Sequence, residues 1–264
     1  MNDPITFEVP PVEIYTSDEF GRYAKTYHTY SYYNYFRPGL ISRIKRRRFN
    51  IALEMVSDQL RDSDVIDLGC ADGPLLLTLA KHCKRVVGVD TNEEFLKVSR
   101  ALVKAMKLDN VTLINNAEKS FGQLKADLPP GNYKVALLLE TLEHVGRVEA
   151  MYESRVAFLN GLLPLLDDDG VIVISVPKMV GLGFLIKRMT QIGLRLKSEQ
   201  FTFREMLAAG LLRKTDGFEH KWDGRHKGFN HLKLERAIRD EFEVTAHRET
   251  LITAFYVIRR KDRF

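Results

Sequence analysis

The sequence predicts an α/β fold built on a mostly parallel sheet, and two observations support this fold class. From residue 64 onward, short apolar runs alternate with segments of helical character. The apolar runs, such as RVVGVD at 85–90 and VIVISV at 171–176, place apolar residues at consecutive positions instead of alternate ones. Strands of this kind are buried on both faces, which is typical of a parallel sheet covered by helices on either side.

Five strands with intervening helices are expected between residues 64 and 177. The strands are VIDLG, RVVGVD, VTLIN, KVALLLE and VIVISV, and the helices are PLLLTLAKH, TNEEFLKVSRALVKAMKL and RVEAMYESRVAFLNGLLPLL. Pro74 suits the first turn of its helix, where a missing N–H does no harm. Thr91 and Glu94 have the spacing of a capping box. DDDG at 167–170 is expected to be a turn, and Pro177 ends the fifth strand.

The two ends of the chain differ from this central pattern. Residues 1–60 form a tyrosine-rich segment followed by a basic helix, and we expect them to act as a lid on a domain spanning 61–264. Residues 178–229 are expected to be a long irregular insertion on the substrate side. NHLKLERAIRDEF then predicts a helix, and FEVTAHRETL and TAFYVIRRK predict two closing strands that pair antiparallel because their connection is short.

Composition restricts the class of protein. A chain of 264 residues with 45% hydrophobic and 28% charged residues is ordinary for a globular protein with one large domain. Two cysteines give no disulfide framework, so a reducing, cytoplasmic location is expected. The proline-interrupted N-terminus does not resemble a signal peptide, and no apolar run approaches the roughly 20 residues of a membrane span.

A net charge of +5 is compatible with an anionic partner, and the charge is concentrated in two clusters. RIKRRR covers 43–48, and KRMTQIGLRLK covers 187–197. Each cluster can equally be the solvated face of a helix. The second cluster alternates with Phe184, Leu185, Ile186, Met189, Ile192 and Leu196. A helix of that pattern is expected either to lie on an anionic bilayer or to close over the active site as a lid.

The small residues after the first strand predict a ligand site. In a parallel sheet the ligand lies at the carboxyl ends of the strands, where helix N-termini and backbone N–H groups favour negative charge. A dinucleotide fingerprint requires small residues at the first, third and sixth positions, which are Gly69, Ala71 and Pro74 here, and proline fails that test. Asp67 would also repel a pyrophosphate, and it suits the cationic end of a ligand.

DLGCADG, VVGVD, INNAEKS and VALLLETLEHV follow one another in the order seen in class I S-adenosylmethionine-dependent methyltransferases, which this chain resembles over residues 64–177 and more loosely to its end. The resemblance implies a doubly wound, Rossmann-like sheet and S-adenosylmethionine as cofactor, with S-adenosylhomocysteine as product. It implies that Asp90 binds both ribose hydroxyls, for which a carboxylate has enough acceptor sites. The implied cofactor contacts are Asp67, Gly69, Cys70, Ala71, Gly73, Asp90, Thr91, Asn116, Ala117, Glu118 and Glu140.

VALLLETLEHV is similar to the fourth-strand motif of ubiquinone-biosynthesis-type O-methyltransferases. Glu140, Glu143 and His144 are spaced i, i+3 and i+4, so a helix would place them on one face. Two carboxylates and an imidazole can bind a divalent metal ion, and His226 is then the best fourth ligand. In the alternative no metal is bound, and His144, Glu143 or His226 removes a proton from the acceptor. Tyr27 and Tyr30 are candidate pocket contacts of the lid.

These observations predict a methyltransferase that acts on a small-molecule acceptor at a hydroxyl group, including a lipid-linked or glycan-type acceptor. One alternative is an RNA methyltransferase that uses the basic 43–48 helix, although no aromatic residues are interleaved with that run. Another is a protein that binds S-adenosylmethionine without catalysis.

Overall fold

A computed structural model of the chain describes residues 3–23, 28–117, 121–130, 132–193 and 199–261. Within these residues, no helix is both long and apolar enough to cross a membrane. The chain forms two compact units. The first unit comprises Met1–Leu138 with Leu165–Val173, and the second comprises Leu139–Pro164 with Ile174–Phe264.

Seven strands form one mixed sheet in the order β3-β2-β1-β4-β5-β7-β6. The strands are β1 Asp64–Leu68, β2 Arg85–Asp90, β3 Val111–Asn115, β4 Tyr133–Leu139, β5 Leu166–Pro177, β6 Phe242–Glu249 and β7 Thr253–Arg260. β1 pairs in parallel with β2 and with β4, β2 pairs in parallel with β3, and β6 pairs antiparallel with β7. This confirms the predicted α/β class, the mostly parallel sheet and its antiparallel end.

Ten α-helices occur in the described parts of the chain. They are α1 Val12–Tyr15, α2 Leu40–Met55, α3 Ser57–Leu60, α4 Leu76–His82, α5 Glu93–Met106, α6 Phe121–Asp127, α7 Met151–Leu162, α8 Leu182–Gly193, α9 Phe203–Gly210 and α10 His231–Glu241. Tyr32–Phe36 forms a π-helical turn, and short 3₁₀ turns cover Leu142–His144, Val148–Ala150, Leu163–Leu165 and Glu219–Lys221.

Three local predictions are wrong. Pro74 lies in the turn before α4, which begins at Leu76, so it does not occupy the helix's first turn. α5 is capped by Asn92, whose side chain accepts from the N–H of Glu94 at 3.0 Å, and not by Thr91. The DDDG segment lies within β5. Its polar side chains are tolerated because this half of the strand is largely exposed, and its acidic residue Asp169 forms an ion pair with Lys134.

The core of the first unit is formed by β1, β2 and the helices that follow them. Val65, Ile66, Val86 and Val87 are buried on consecutive positions, as expected for strands covered on both faces. Gly88 is required by this packing, because a Cβ there would lie 2.9 Å from the Leu113 side chain.

The N-terminal residues belong to the first unit and are attached to its glycine-rich loop. Asp72 is buried and accepts the backbone N–H of Ser31 at 2.7 Å as well as the Ser31 hydroxyl. The Tyr15 hydroxyl donates to the Gly73 carbonyl at 3.3 Å. Burial raises the pKa of Asp72 to about 6, although the hydrogen bonds from Ser31 act to lower it. The segment is therefore docked on the loop by buried polar contacts, which the tyrosine count alone did not indicate.

In the second unit, the predicted irregular insertion at 178–229 contains two helices, α8 and α9, where it is described. α9 has a complete capping box, in which Thr202 accepts from the Glu205 N–H and Glu205 accepts from the Thr202 N–H. α10 begins after Asn230, whose side chain accepts from Leu232 N–H at 3.0 Å. These side-chain caps satisfy donors at the starts of α9 and α10 and favour helix formation there.

Candidate functional site

The loop after β1 bends sharply through three residues with positive φ. Gly69, Ala71 and Gly73 have φ values of 77°, 49° and 81°. A Cβ on Gly73 would lie 2.8 Å from Leu76 and 3.0 Å from the Ser99 hydroxyl, so only glycine fits there. The small residues predicted from DLGCADG thus form a tight turn directly after a buried strand.

The main-chain N–H groups of this loop donate within the protein. Cys70 N–H donates to the Val89 carbonyl at 3.0 Å, Ala71 N–H donates to Asp90 Oδ2 at 2.8 Å, and Gly73 N–H donates to the Cys70 carbonyl at 3.0 Å. The expectation that they favour a negative ligand is therefore wrong for these three groups. Their bonds fasten the loop to β2 and leave carboxylates as the charged groups of the site.

Asp67 is the most unusual of these carboxylates. Its side chain is 3% exposed and has no hydrogen-bond donor among the described residues. Burial, and then the charge of Asp90, raise its pKa to about 7. A buried carboxylate beside a second one is unfavourable unless a cation compensates it. The loop is therefore suited to a ligand with a positive charge.

Asp90 closes the same loop from the end of β2. Its Oδ1 accepts the Asn92 N–H at 2.8 Å, and its Oδ2 accepts the Ala71 N–H. Burial raises its pKa, while backbone N–H groups including those of Asn92 and Ala71 act to lower it. Each carboxylate oxygen can accept two hydrogen bonds, so Asp90 retains capacity for two hydroxyl donors.

Asn116 lies at the end of β3, next to Asp90 in the sheet. Its N–H donates to the Asp90 carbonyl at 2.9 Å, and its side-chain Oδ1 is buried without a hydrogen-bond partner among the described residues. Buried polar atoms are nearly always paired, so this oxygen indicates a missing donor. Ala117 N–H is bonded to Asn115 Oδ1 at 2.8 Å. The predicted contact Glu118 lies outside the described residues.

The two candidate lid tyrosines have different outcomes. Tyr30 packs on Phe95 of α5 with ring centroids 5.3 Å apart, and it also contacts Tyr23 and Tyr35. Tyr27 lies outside the described residues. In the described part, Tyr30 belongs to an aromatic cluster that supports the N-terminal segment.

In the second unit, the predicted helical face of ETLEHV does not form. Glu140 has φ of 59°, a left-handed conformation that costs a non-glycine residue roughly 1–2 kcal/mol. Only Leu142–His144 make a 3₁₀ turn, and Val145 is extended. The ligand atoms that converge within 4.8 Å come from Glu143, His144 and His226, and Glu140 is not part of this group.

Glu143 is the centre of this cluster. Its side chain is 0% exposed, and both carboxylate oxygens are buried without a hydrogen-bond partner among the described residues. The Nε2 atoms of His144 and His226 each lie 3.8 Å from Glu143 Oε1. Two imidazoles therefore face one oxygen at a distance too long for a hydrogen bond.

The other ring nitrogen of each histidine is oriented by the second unit. His144 Nδ1 lies 2.5 Å from the Gly224 carbonyl, which can only accept, so Nδ1 carries a proton and Nε2 is the nitrogen directed at Glu143. His226 Nδ1 lies 3.6 Å from Glu199 Oε1, which also accepts the His226 backbone N–H at 2.9 Å. Orientation of this kind by a second layer of groups is typical of metal-binding and catalytic histidines.

The charge of His226 differs from what a general base requires. Burial acts to lower its pKa, but the interactions with the nearby carboxylates of Glu143 and Glu199 outweigh burial and raise it to about 9. Without another cation in the cluster, His226 is protonated at neutral pH. Proton removal by His226, as expected from its sequence position, is therefore disfavoured.

Arg155 holds the 3₁₀ turn in place, and no sequence pattern predicts this role. Its guanidinium is fully buried and donates to the carbonyls of Leu142 at 2.9 Å, Glu143 at 2.7 Å and Met151. The ring of Trp222 lies 4.9 Å from the guanidinium carbon. Burial lowers the Arg155 pKa to about 10. Arg155 fixes the backbone that directs Glu143 into the cluster.

Sequence comparison identifies relatives of known family. The family described as a methyltransferase domain matches residues 33–230. A ubiquinone biosynthesis O-methyltransferase from Aliivibrio fischeri (strain MJ11) is 35% identical over 112 residues, which are 42% of this chain and 44% of that protein. The protein of the same name from Yersinia pestis (strain Pestoides F) is 33% identical over 114 residues, 42% of each chain. The chain thus spans less than half the length of these curated relatives.

Two solved structures share the fold at low sequence identity. The PH0226 protein from Pyrococcus horikoshii OT3 has a TM-score of 0.59 and 15% identity, covering 88% of this chain and 96% of its own. Magnesium protoporphyrin IX methyltransferase from Synechocystis PCC 6803 has a TM-score of 0.53 and 16% identity, covering 88% and 97%. Since the family match extends over well more than half of its length, the chain belongs to the methyltransferase-domain family, as its motifs predict.

Proposed function

We propose that the protein transfers a methyl group from S-adenosylmethionine to a hydroxyl group of a small molecule. The observation that carries the cofactor assignment is the buried carboxylate of Asp67, which has no donor among the described residues and a raised pKa. The α-amino group of S-adenosylmethionine supplies the compensating cation. A dinucleotide would instead bring a pyrophosphate to a loop that contains Asp67, Asp72 and Asp90, and these charges repel it.

The remaining cofactor contacts follow from the first unit's loop. Asp90 accepts the two ribose hydroxyls with the capacity left on its oxygens, and Asn116 Oδ1 accepts the exocyclic amine of adenine, which satisfies its buried atom. The cofactor can approach the main chain of the loop closely because the loop residues after β1 have small side chains. The other contacts proposed in this unit are Gly69, Cys70, Ala71, Gly73, Thr91, Ala117 and Glu118.

When bound, the cofactor supplies an activated methyl group for displacement by a nucleophile. The protein then has to remove the proton of the attacking hydroxyl. His144 suits this role, because the Gly224 carbonyl fixes the proton on Nδ1 and leaves Nε2 as the base. Glu143 Oε1, at 3.8 Å from Nε2, stabilises the imidazolium that forms.

A second role for the cluster is favoured by one observation. Both oxygens of Glu143 are buried without donors in the described part of the chain, and two imidazole nitrogens face the same oxygen. One carboxylate and two imidazoles form a donor set that fits Mg²⁺, Mn²⁺ or Zn²⁺. Glu143, His144 and His226 would hold the ion, which would lower the pKa of a bound acceptor hydroxyl. Its charge would also displace the proton that His226 otherwise carries.

The acceptor class is proposed from the relatives and from the cluster. Two relatives are named ubiquinone biosynthesis O-methyltransferases, which supports a hydroxyl acceptor. An aromatic ring with neighbouring hydroxyls suits a cluster of one buried carboxylate and two imidazoles, since each hydroxyl can find a partner there. An RNA acceptor has weaker support, because the basic helix α2 carries no interleaved aromatic binding surface.

The cofactor proposal predicts the effect of changing Asp90. Asp90→Ala removes both ribose bonds, and we expect S-adenosylhomocysteine to bind on the order of a hundredfold more weakly, since bonds to charged groups are each worth about 1.5–3 kcal/mol. Asp90→Asn keeps one acceptor oxygen and should give an intermediate loss. Asp109→Ala, an exposed aspartate in the same unit, is the control and should bind normally. Isothermal titration calorimetry measures all three, and unchanged affinity in Asp90→Ala would remove the ribose assignment.

The metal role predicts direct ion binding by the second unit. Mn²⁺ or Zn²⁺ titrated into the metal-free protein should bind at one site, and Glu143→Gln should weaken binding at least tenfold because the only carboxylate ligand becomes neutral. Glu149→Gln, an exposed residue nearby in the chain, should bind as the unchanged protein does. Equal binding by both variants would leave His144 as the base and exclude the metal role.

The reaction itself is tested with labelled S-adenosylmethionine and three separate acceptors: a catechol, a hydroxyl-bearing lipid extract and total RNA. We expect mass spectrometry to show one added methyl on the catechol or the lipid. His144→Ala should reduce the rate by roughly a hundredfold or more, as for loss of a general base or metal ligand. Methylation of RNA alone would favour the RNA methyltransferase, and tight cofactor binding without any product would favour a non-catalytic binding protein.

A further inference from the structure

An exposed apolar surface covers two helices of the second unit. Its members are large apolar side chains on one face of α8, on α9 and in the turn after α9: Leu182, Ile186, Met189, Ile192, Phe203, Leu207, Leu211 and Leu212. Met189 and Phe203 are 65% and 70% exposed. Spacings of three and four residues along each helix place these side chains in two stripes. We call this set the apolar face.

The two stripes lie side by side, because α8 and α9 pack closely. A Cβ at Gly210 would overlap the side chain of Leu185, and the Gly181 N–H donates to the Ala209 carbonyl at 2.9 Å. At the start of α8, a Cβ at Gly183 would overlap the carbonyl oxygen of Leu251. The residue Leu251 is 56% exposed. The exposed apolar side chains therefore cluster on two adjacent helices, and clusters of this kind usually mark an interaction site.

Positive charge borders the apolar face. Arg204, Arg213 and Lys214 are exposed and have no ion-pair partner among the described residues. The one carboxylate of α9, Glu205, is neutralised by Lys221 at 2.7 Å and Lys227 at 3.0 Å. The surface thus combines exposed apolar groups with uncompensated cations.

We propose that the apolar face docks on a bilayer containing anionic phospholipid. The acyl region accepts the aliphatic side chains, and the headgroup phosphates pair with Arg204, Arg213 and Lys214. This occupant fits both properties of the surface. RNA would match the cations, but it offers nothing to aliphatic side chains and finds one aromatic ring, Phe203, in the face. A second copy of the chain would bring the same positive charges together.

The docking surface is tested by co-sedimentation with vesicles of phosphatidylcholine, with and without an equal amount of phosphatidylglycerol. The full-length protein should bind only the phosphatidylglycerol vesicles, and the binding should weaken as the salt concentration rises. Binding to both vesicle types alike, or to neither, would overturn the proposal.

Two variants separate the apolar from the electrostatic contribution. The first, Met189→Gln with Phe203→Gln and Leu211→Gln, changes exposed side chains only and should lose vesicle binding by more than tenfold. The second, Arg204→Gln with Arg213→Gln and Lys214→Gln, should bind roughly fivefold more weakly per charge, or on the order of a hundredfold in total. Neither should alter affinity for S-adenosylhomocysteine, which confirms that both variants are folded.

A matched control removes three charges from the first unit. Arg43→Gln with Arg46→Gln and Arg47→Gln, all on α2, should leave vesicle binding within twofold of the unchanged protein. If this control loses binding while the α8–α9 variants keep it, the apolar face is not the docking surface.

Size-exclusion chromatography with light scattering tests whether a second copy of the chain covers the face. A dimer that the first variant breaks would assign the face to a second copy. If added RNA abolishes vesicle binding and itself binds through Arg204, Arg213 and Lys214, the apolar face would be assigned to nucleic acid.

Discussion

A buried carboxylate with a second carboxylate beside it determines which ligand the first unit can accept. Asp67 follows the buried apolar residues Val65 and Ile66 near the end of β1, and Asp90 comes from the neighbouring strand. The N–H groups of Gly69, Cys70, Ala71 and Gly73 donate to other acceptors, so these groups do not compensate the charge of Asp67. A ligand with a positive amino group removes this electrostatic cost, and a phosphate would increase it. The choice of cofactor thus follows from charge, while the small loop residues decide only how closely it can approach.

The second unit also contains a buried carboxylate with groups beside it that can supply positive charge. Glu143 lies on the backbone turn that Arg155 holds, and the imidazoles of His144 and His226 are directed at its Oε1 atom. A protonated His226 places one positive charge beside this buried carboxylate, and a divalent cation would be another source of positive charge. The cluster can therefore either bind a metal ion in place of the proton on His226 or accept the proton of a substrate hydroxyl.

The sequence was sufficient for the parts of the fold that depend on local pattern. RVVGVD and VTLIN became β2 and β3 at the predicted bounds, and in β2 the consecutive apolar residues are those of a strand buried on both faces. The 3₁₀ turn at 142–144 was missed, because the left-handed backbone of Glu140 is imposed by tertiary contacts. Contacts between residues distant in sequence, such as Ser31 with Asp72 and Arg155 with the Leu142 carbonyl, leave no periodic signal and could not be predicted. The nearness of His226 to Glu143 was proposed from chemistry alone, and the structure brings the two together.

The central claim is that the buried carboxylate of Asp67 binds the positively charged group of the cofactor. The number of protons released when the cofactor binds tests this claim. With a pKa of about 7, Asp67 is mostly protonated in the free protein at pH 6. A bound ammonium lowers that pKa, so binding of S-adenosylhomocysteine at pH 6 should release about 0.9 proton per site, and release should vanish as the pH rises well above 7. Calorimetry in two buffers of different ionisation enthalpy measures this number, and Asp67→Asn should abolish it. Binding without proton release, or equal release by the Asp67→Asn variant, would contradict the account.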